Sequence, residues 1–208
     1  MSAVAAHDHD HDHHELPYET ILRADRLGLW LFCFSELFLF VGFLAVRFVL
    51  WQDCSSGVCQ IVRPELNQTL GLITTCVLLV SSYFMARAET AIAHGDRKTF
   101  LSGLQWTFIL GLTFLLGVVV LEWNGEVHPG DGAFGAVFFG MTGIHAIHVF
   151  SGLVLIAILW VRGRRGEFDA EKHWAVEACA IYWHFIDVVW VFFYPAIYLI
   201  GEAVHIVH

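Results

Sequence analysis

Charged residues are scarce in this chain. Only 15% of its 208 residues are Asp, Glu, Lys or Arg, whereas soluble domains carry about 25%. Apolar side chains make up 57% of the sequence and give a mean hydropathy of +0.64. No basic patch with interleaved aromatic residues is present, which argues against nucleic-acid binding. The first twenty residues lack an apolar segment, so we expect no secretory signal there. The composition predicts an integral membrane protein.

Five apolar stretches are long enough to cross a bilayer, whose hydrocarbon core of about 30 Å needs roughly 20 residues of helix. They run over Leu27–Trp51, Leu66–Ala88, Phe100–Leu121, Ala133–Val161 and Ala175–Ile200. Because backbone polar groups in lipid must be satisfied within the protein, these stretches are predicted to be helices. We therefore expect an acidic tail without fixed structure over residues 1–24 and an all-α membrane domain over residues 25–208.

Basic residues predict the direction of the spans. One side of the predicted membrane domain carries Arg23, Arg26, Arg87, Arg97, Lys98, Arg162, Arg164, Arg165 and Lys172. The other side has only Arg47 and Arg63. Cytoplasmic loops carry the excess of Lys and Arg, so the N-terminus is predicted to be cytoplasmic and the C-terminus periplasmic.

Two short segments outside the spans contain candidate ligands or cross-links. Cys54 and Cys59 lie in the sequence CSSGVC on the predicted oxidising side, where they either form a disulfide or stay as two thiols. The tail reads HDHDHDHH, which either binds copper or zinc weakly or is simply a solvated arm. Its candidate ligands are His7, His9, His11, His13 and His14.

Ionisable side chains recur at similar depths on different predicted helices, where they are costly unless they are paired. His145 and His148 are three residues apart, as are His184 and Asp187, so each pair shares a helical face. Glu177 precedes His184 by about two turns. Two interpretations stay open: a structural network of hydrogen bonds, or a metal or haem site that uses the histidines.

The second interpretation lacks the motifs that a redox centre needs. The chain contains no CxxCH for covalent haem and no paired-cysteine copper motif. A haem–copper core also needs more histidines than His145, His148 and His184, spread over more helices. We therefore expect no metal or haem in this chain.

Glu36 stands alone in an apolar run, with only Ser35 beside it as a polar neighbour. Apolar surroundings disfavour the anion, so we expect this carboxyl to hold its proton at least part of the time. It is either a functional carboxyl or a neutral structural group that donates one hydrogen bond to a neighbouring helix.

Three segments resemble the cytochrome c oxidase subunit III family. They are LWLFCFSELFLF, with a Ser–Glu pair inside the membrane, FFGMTGIHAIHVFSG, and EACAIYWHFIDVVWVFFYPAIYL. The resemblance covers about residues 25–208. Longer members of the family have seven helices, and short bacterial members have five, as predicted here.

The resemblance implies a V-shaped bundle beside the catalytic subunit, with phospholipid bound in its cleft. Glu36 matches the family's carbodiimide-reactive Glu near the oxygen and lipid channel. A structural role is implied for Ser35, His145, His148, Glu177, His184 and Asp187. Haem and copper are implied in subunits I and II, with subunit I as the main contact.

The function implied is that of the non-redox third subunit of a proton-pumping respiratory oxidase, a translocase of the bacterial inner membrane. It would support assembly, stability, lipid and oxygen access, and proton uptake. Ser35–Glu36 favours a branch that oxidises cytochrome c over a quinol oxidase. A subunit-III-like protein of a nitric oxide reductase system is a further alternative. A stand-alone transporter is disfavoured, because no inverted repeat is evident and Pro195 is the only proline within a span.

Overall fold

The computed structural model describes residues 18–55, 68–123, 128–130 and 132–199. The described residues form α1 Tyr18–Ser55, α2 Gln68–Ala93, α3 Arg97–Leu116, α4 Gly132–Arg165 and α5 Trp174–Tyr194. Two π-helical segments extend α3 and α5, over Gly117–Glu122 and Pro195–Leu199. All five helices are long and apolar enough to cross a membrane, which confirms the predicted all-α membrane fold.

The helices extend beyond the predicted spans, mainly at one end of the bundle. α1 begins at Tyr18, nine residues before the predicted start, so residues 18–24 are helical although they were assigned to the tail. α2 continues to Ala93 and α4 to Arg165. Hydropathy identifies only the part of a helix that lies within the hydrocarbon core of the membrane. The helix itself can continue through polar residues on either side of that core.

Helices α2 to α5 form a closed four-helix group, in which α2 packs on α3 and α5, and α4 packs on the same two helices. Helix α1 lies outside this group and packs on α4 and α5. The starts of α1, α3 and α5 lie at one end of the bundle together with the ends of α2 and α4. We call this the basic end, because it carries Arg26, Arg97 and Arg162.

Trp183 of α5 fills the centre of the four-helix group and meets all three other helices. It is fully buried, and its indole Nε1 donates a hydrogen bond to Ser81 Oγ of α2 over 3.1 Å. Glycines of α3 and α4 make room for the ring. A Cβ built on Gly111 would lie 2.6 Å from Trp183 Cη2, and one built on Gly152 would lie 2.8 Å from Cε3. Small residues thus allow close packing of helices around one large aromatic side chain.

A three-residue turn joins α2 to α3. Gly95 has a φ of 76°, a left-handed conformation that glycine adopts without a steric penalty and that commonly ends a helix. Asp96 then caps α3, because its Oδ1 accepts hydrogen bonds from the backbone N–H groups of Lys98 and Thr99. The hydroxyl of Thr99 also donates to this carboxylate, and these bonds lower the pKa of Asp96.

The π-helical end of α5 begins at Pro195. Proline has no backbone N–H, so the α-helical hydrogen bond to the residue four positions earlier cannot form. The chain continues with wider turns instead of breaking. Ala196, Ile197 and Tyr198 remain buried against the rest of the bundle.

Candidate functional site

Glu36 of α1 and His148 of α4 form a hydrogen-bonded pair between two helices. Glu36 Oε2 lies 3.1 Å from His148 Nε2. The other ring nitrogen, Nδ1, lies 2.8 Å from the carbonyl oxygen of Ile144, one turn earlier in α4. Glu36 is thus isolated only along its own helix, and its contact with α4 agrees with the interpretation of this carboxyl as a structural group that bonds to a neighbouring helix. Its partner is 112 positions away along the chain, so the local sequence around Glu36 could not reveal it.

The contact with Ile144 fixes the hydrogen on one ring nitrogen of His148. A carbonyl oxygen can only accept, so His148 Nδ1 carries a hydrogen and donates it. In a neutral imidazole Nε2 is then an acceptor, and its bond with Glu36 requires one further proton. That proton lies either on the carboxyl or on Nε2. Both arrangements have no net charge, which suits a site inside a membrane. The pair can therefore hold a proton without adding charge to the bundle.

An apolar groove of about 650 Å³ runs between α1 and α5 beside this pair. Cys33, Leu37 and Phe40 line it on α1, close to Glu36 in sequence, and Phe185 and Phe193 line it on α5. Phe40 also packs edge-on against the ring of His148, with 4.8 Å between the ring centroids. The groove has the size and polarity to take an acyl chain, and the Glu36–His148 pair lies at its margin.

At the basic end, Glu177 of α5 joins α1 to α5. Its Oε2 accepts a hydrogen bond from Arg26 over 2.9 Å, and its Oε1 lies 3.5 Å from His173 Nε2. The Arg26 guanidinium also lies over the ring of Trp174, 5.5 Å from its centroid. Glu177 therefore acts as an interhelical contact near the start of α5, some distance from the pair described above.

His184 of α5 lies at the border with α2. Its Nδ1 is 2.6 Å from Ser82 Oγ of α2 and 3.9 Å from Asp187 Oδ2, one turn later in α5. Asp187 is buried, whereas the His184 side chain is 37% exposed. Spacing predicted that His184 and Asp187 share a face, and the structure places them side by side. Ser82 was not expected.

The remaining two residues of the predicted network make no hydrogen bond to another helix in the described part of the chain. Ser35 Oγ donates to the carbonyl oxygen of Phe32 in its own helix. His145 is fully buried, and its ring packs against Trp190 at 4.8 Å and edge-on against Phe114 at 5.7 Å. The predicted network is thus divided into separate groups.

The predicted disulfide and the predicted metal ligands of the tail fall outside the described part of the chain. His7, His9, His11, His13, His14 and Cys59 lie outside the described residues, as does the side chain of Cys54. Within the described ranges, no group of three or more His, Cys, Asp or Glu residues is placed to hold a metal ion. The predicted disulfide and the weak metal binding by the tail stay predictions.

The sequence matches the family model described as cytochrome c oxidase subunit III over residues 8–202. Cytochrome c oxidase subunit 3 of Cyprinus carpio is 34% identical over 190 residues, which cover 85% of this chain and 70% of that protein. The subunit 3 of Dugong dugon is 34% identical over 202 residues, covering 91% and 74%. That of Salmo salar is 36% identical over 192 residues, covering 85% and 70%. The chain belongs to the cytochrome c oxidase subunit III family.

As a member of the cytochrome c oxidase subunit III family, the chain is a non-catalytic membrane subunit of a haem–copper oxidase, and it associates with other oxidase subunits. This confirms the resemblance drawn from the sequence. The three segments that carried the resemblance fall on α1, α4 and α5. These helices supply Glu36, His148, Glu177, His184 and Asp187.

Sequence reasoning missed the partners that this subunit III uses for its polar groups. Arg26 was noted only as a flanking basic residue, and His173 and Ser82 were not singled out. Ser82 shares a face of α2 with Glu89, seven residues later, and this polar stripe in an apolar span was a usable signal. The choice of partner depends on how each helix is rotated, which the sequence of one helix does not give.

Proposed function

We propose that the chain is the third subunit of a proton-pumping terminal oxidase that takes electrons from cytochrome c. It stabilises the catalytic subunit and supports that subunit's proton uptake and its access to lipid and oxygen. The observation that carries this proposal is the Glu36–His148 pair beside the apolar groove. A pair that holds a proton without net charge can lie inside the membrane, and an adjoining groove can admit an acyl chain or a small apolar molecule.

The partners and the location follow from the same proposal. Subunit I is the main contact and subunit II a further one, and haem and copper reside in those subunits. Phospholipid occupies the apolar groove between α1 and α5, and the complex lies in the bacterial inner membrane. The accumulation of Arg and Lys at the basic end supports a cytoplasmic position for that end and for the N-terminus.

Purification of the native complex through a tag on this chain tests the proposal. We expect copper, haem a absorbance and oxygen uptake driven by reduced cytochrome c in the tagged fraction. A complex that contains only b-type haem and no copper, and that reduces nitric oxide, would assign the chain to a reductase system. Oxygen uptake driven by quinol but not by cytochrome c would identify the complex as a quinol oxidase.

Replacement of Glu36 by Gln is expected to leave assembly and the initial rate of oxygen reduction close to wild type. The Gln amide can donate an N–H to His148 Nε2, so the contact between α1 and α4 survives while the carboxyl proton is lost. Oxygen consumption measured over prolonged turnover should then fall earlier than in the wild type. Ser35→Ala is the control, because the hydrogen bond that Ser35 makes among the described residues is to Phe32 of its own helix. Complete loss of the initial rate in an assembled E36Q complex would refute this role.

A further inference from the structure

A stripe of polar and ionisable side chains follows the contact between α2 and α5. At the basic end, Glu89 of α2 is half-buried and interacts electrostatically with Glu177 and His173 of α5. Ten residues further along α5 than Glu177, or about 15 Å deeper, the stripe ends at Asp187. We call the following residues the α2–α5 stripe: Glu89 and Ser82 of α2, and Glu177, His184 and Asp187 of α5.

Three side chains form the deep end of the α2–α5 stripe. His184 Nδ1 lies 2.6 Å from Ser82 Oγ, and Asp187 faces both residues. Asp187 Oδ2 is 3.9 Å from His184 Nδ1, which is too long for a direct hydrogen bond. Asp187 is only 4% exposed, and neither of its carboxyl oxygens has a hydrogen-bond partner in the part of the chain that the structure describes.

An isolated carboxylate at this depth would be very costly, because neither lipid nor a direct hydrogen bond stabilises the anion. The Asp187–His184 pair therefore holds a proton. The proton lies either on the carboxyl of Asp187 or as a second proton on the imidazole of His184, and both arrangements have no net charge.

Glu89 connects this buried pair with the basic end. It interacts electrostatically with His184 as well as with Glu177. Ser82 and Glu89 are seven residues apart on α2, as are Glu177 and His184 on α5, so the two helices place polar groups at the same two depths, about 10 Å apart. Glu89 is one turn from the end of α2, where that helix leaves the membrane. The outer level of the stripe is thus next to water.

The α2–α5 stripe does not continue towards the opposite end of the bundle. Beyond Asp187, the next polar contact between α2 and α5 among the described residues is a hydrogen bond of 2.9 Å from Trp190 Nε1 to Thr75 Oγ1. An indole N–H only donates, and the Thr75 hydroxyl donates its hydrogen to the carbonyl oxygen of Gly71 over 2.7 Å. Neither group can pass a proton on. The stripe is therefore open at one end and closed inside the membrane.

We propose that the Asp187–His184 pair is a proton-holding site that exchanges its proton with water at the basic end through Glu89. In each exchange, Glu89 passes one proton from water to the pair, and one proton returns to water by the same route. The net charge of the bundle does not change. Because the route is closed beyond Asp187, the exchange causes no leak across the membrane. A role for this site in the proton uptake of an oxidase rests on the proposed function.

Infrared spectroscopy of the purified native complex during a change from H₂O to D₂O tests this proposal. The proton is followed on the C=O band of Asp187, isolated by subtracting the spectrum of D187N, or on the imidazole bands of His184, isolated by subtracting that of H184N. We expect it to exchange much faster than the slowly exchanging backbone amides of the same sample. E89Q should slow the exchange by about 100-fold, as loss of a positioned proton-transfer group implies.

Glu171→Gln is the matched control, because Glu171 is an exposed carboxylate of the basic end that lies outside the α2–α5 stripe. It makes the same change of charge and should leave the exchange rate unchanged. An equal rate in E89Q and the wild type, or equal slowing in E89Q and E171Q, would overturn the proposal. So would a wild-type proton that exchanges no faster than the slow amides, a comparison that needs no variant at Glu89. Any of these results in a complex that contains haem and copper would leave the proposed function standing.

Discussion

Replacement of Gly152 by Ala is expected to destabilise the helix bundle by about 1–3 kcal/mol, the usual cost of overpacking a close-packed core. The new Cβ would lie 2.8 Å from Cε3 and 2.9 Å from Cζ3 of Trp183. The indole cannot retreat easily, because its opposite side meets Gly111 of α3 and its Nε1 is bonded to Ser81. Titration of the purified chain from mild detergent into SDS, followed by tryptophan fluorescence, measures the change in the free energy of unfolding.

Gly143→Ala on the same helix is the matched control. A Cβ on Gly143 would meet Trp123 Cζ2 at 3.8 Å, which is ordinary van der Waals contact. Any effect of adding a methyl group to α4 in general should appear in both variants, so only the difference between them reports the clash with Trp183. Trp183→Phe in the Gly152→Ala background should recover part of the loss. Equal stability of the two alanine variants would show that Trp183 is not the fixed centre of the bundle.

Hydropathy was sufficient to predict the five helices, because the bilayer imposes both their length and their internal hydrogen bonding. The start of α1 was predicted nine residues too late, because residues 18–26 are polar enough to lie outside the hydrocarbon core and yet are helical. The π-helical turns after Pro195 were missed for another reason. Pro195 was noted only as the one proline within a predicted span, and nothing was predicted about the turns after it, where Ala196 and Ile197 are buried. Such an outcome depends on tertiary contacts rather than on local preference.

The candidate site was predictable residue by residue but not pair by pair. Glu36 and His148 were both identified as polar groups at membrane depth, and neither was assigned to the other. A spacing of three positions correctly placed His184 beside Asp187. The same spacing did not give His145 and His148 a common role, because they meet different neighbours. His148 bonds to Glu36 of α1, whereas His145 packs among aromatic rings of the core.

Replacement of either Glu36 or His148 by Leu is expected to destabilise the packing of α1 on α4 by about 1–3 kcal/mol, the cost of leaving a buried polar partner unsatisfied. In Glu36→Leu, His148 Nε2 loses its hydrogen-bond partner. In His148→Leu, the carboxyl of Glu36 loses the same contact. The double replacement removes both polar groups, so it should cost less than the sum of the single replacements. SDS titration of the four proteins gives the coupling energy directly.

A coupling energy well above the average of about 0.6 kcal/mol for interhelical hydrogen bonds in membranes would show that the two side chains act as one unit. Glu36→Gln serves as the isosteric control and should resemble the wild type, because its amide still donates to Nε2. Additive effects of the two Leu replacements would mean that each group finds other partners when it loses this one. In that case the contact of 3.1 Å could not be what joins α1 to α4, and the proton held between them would have no structural role.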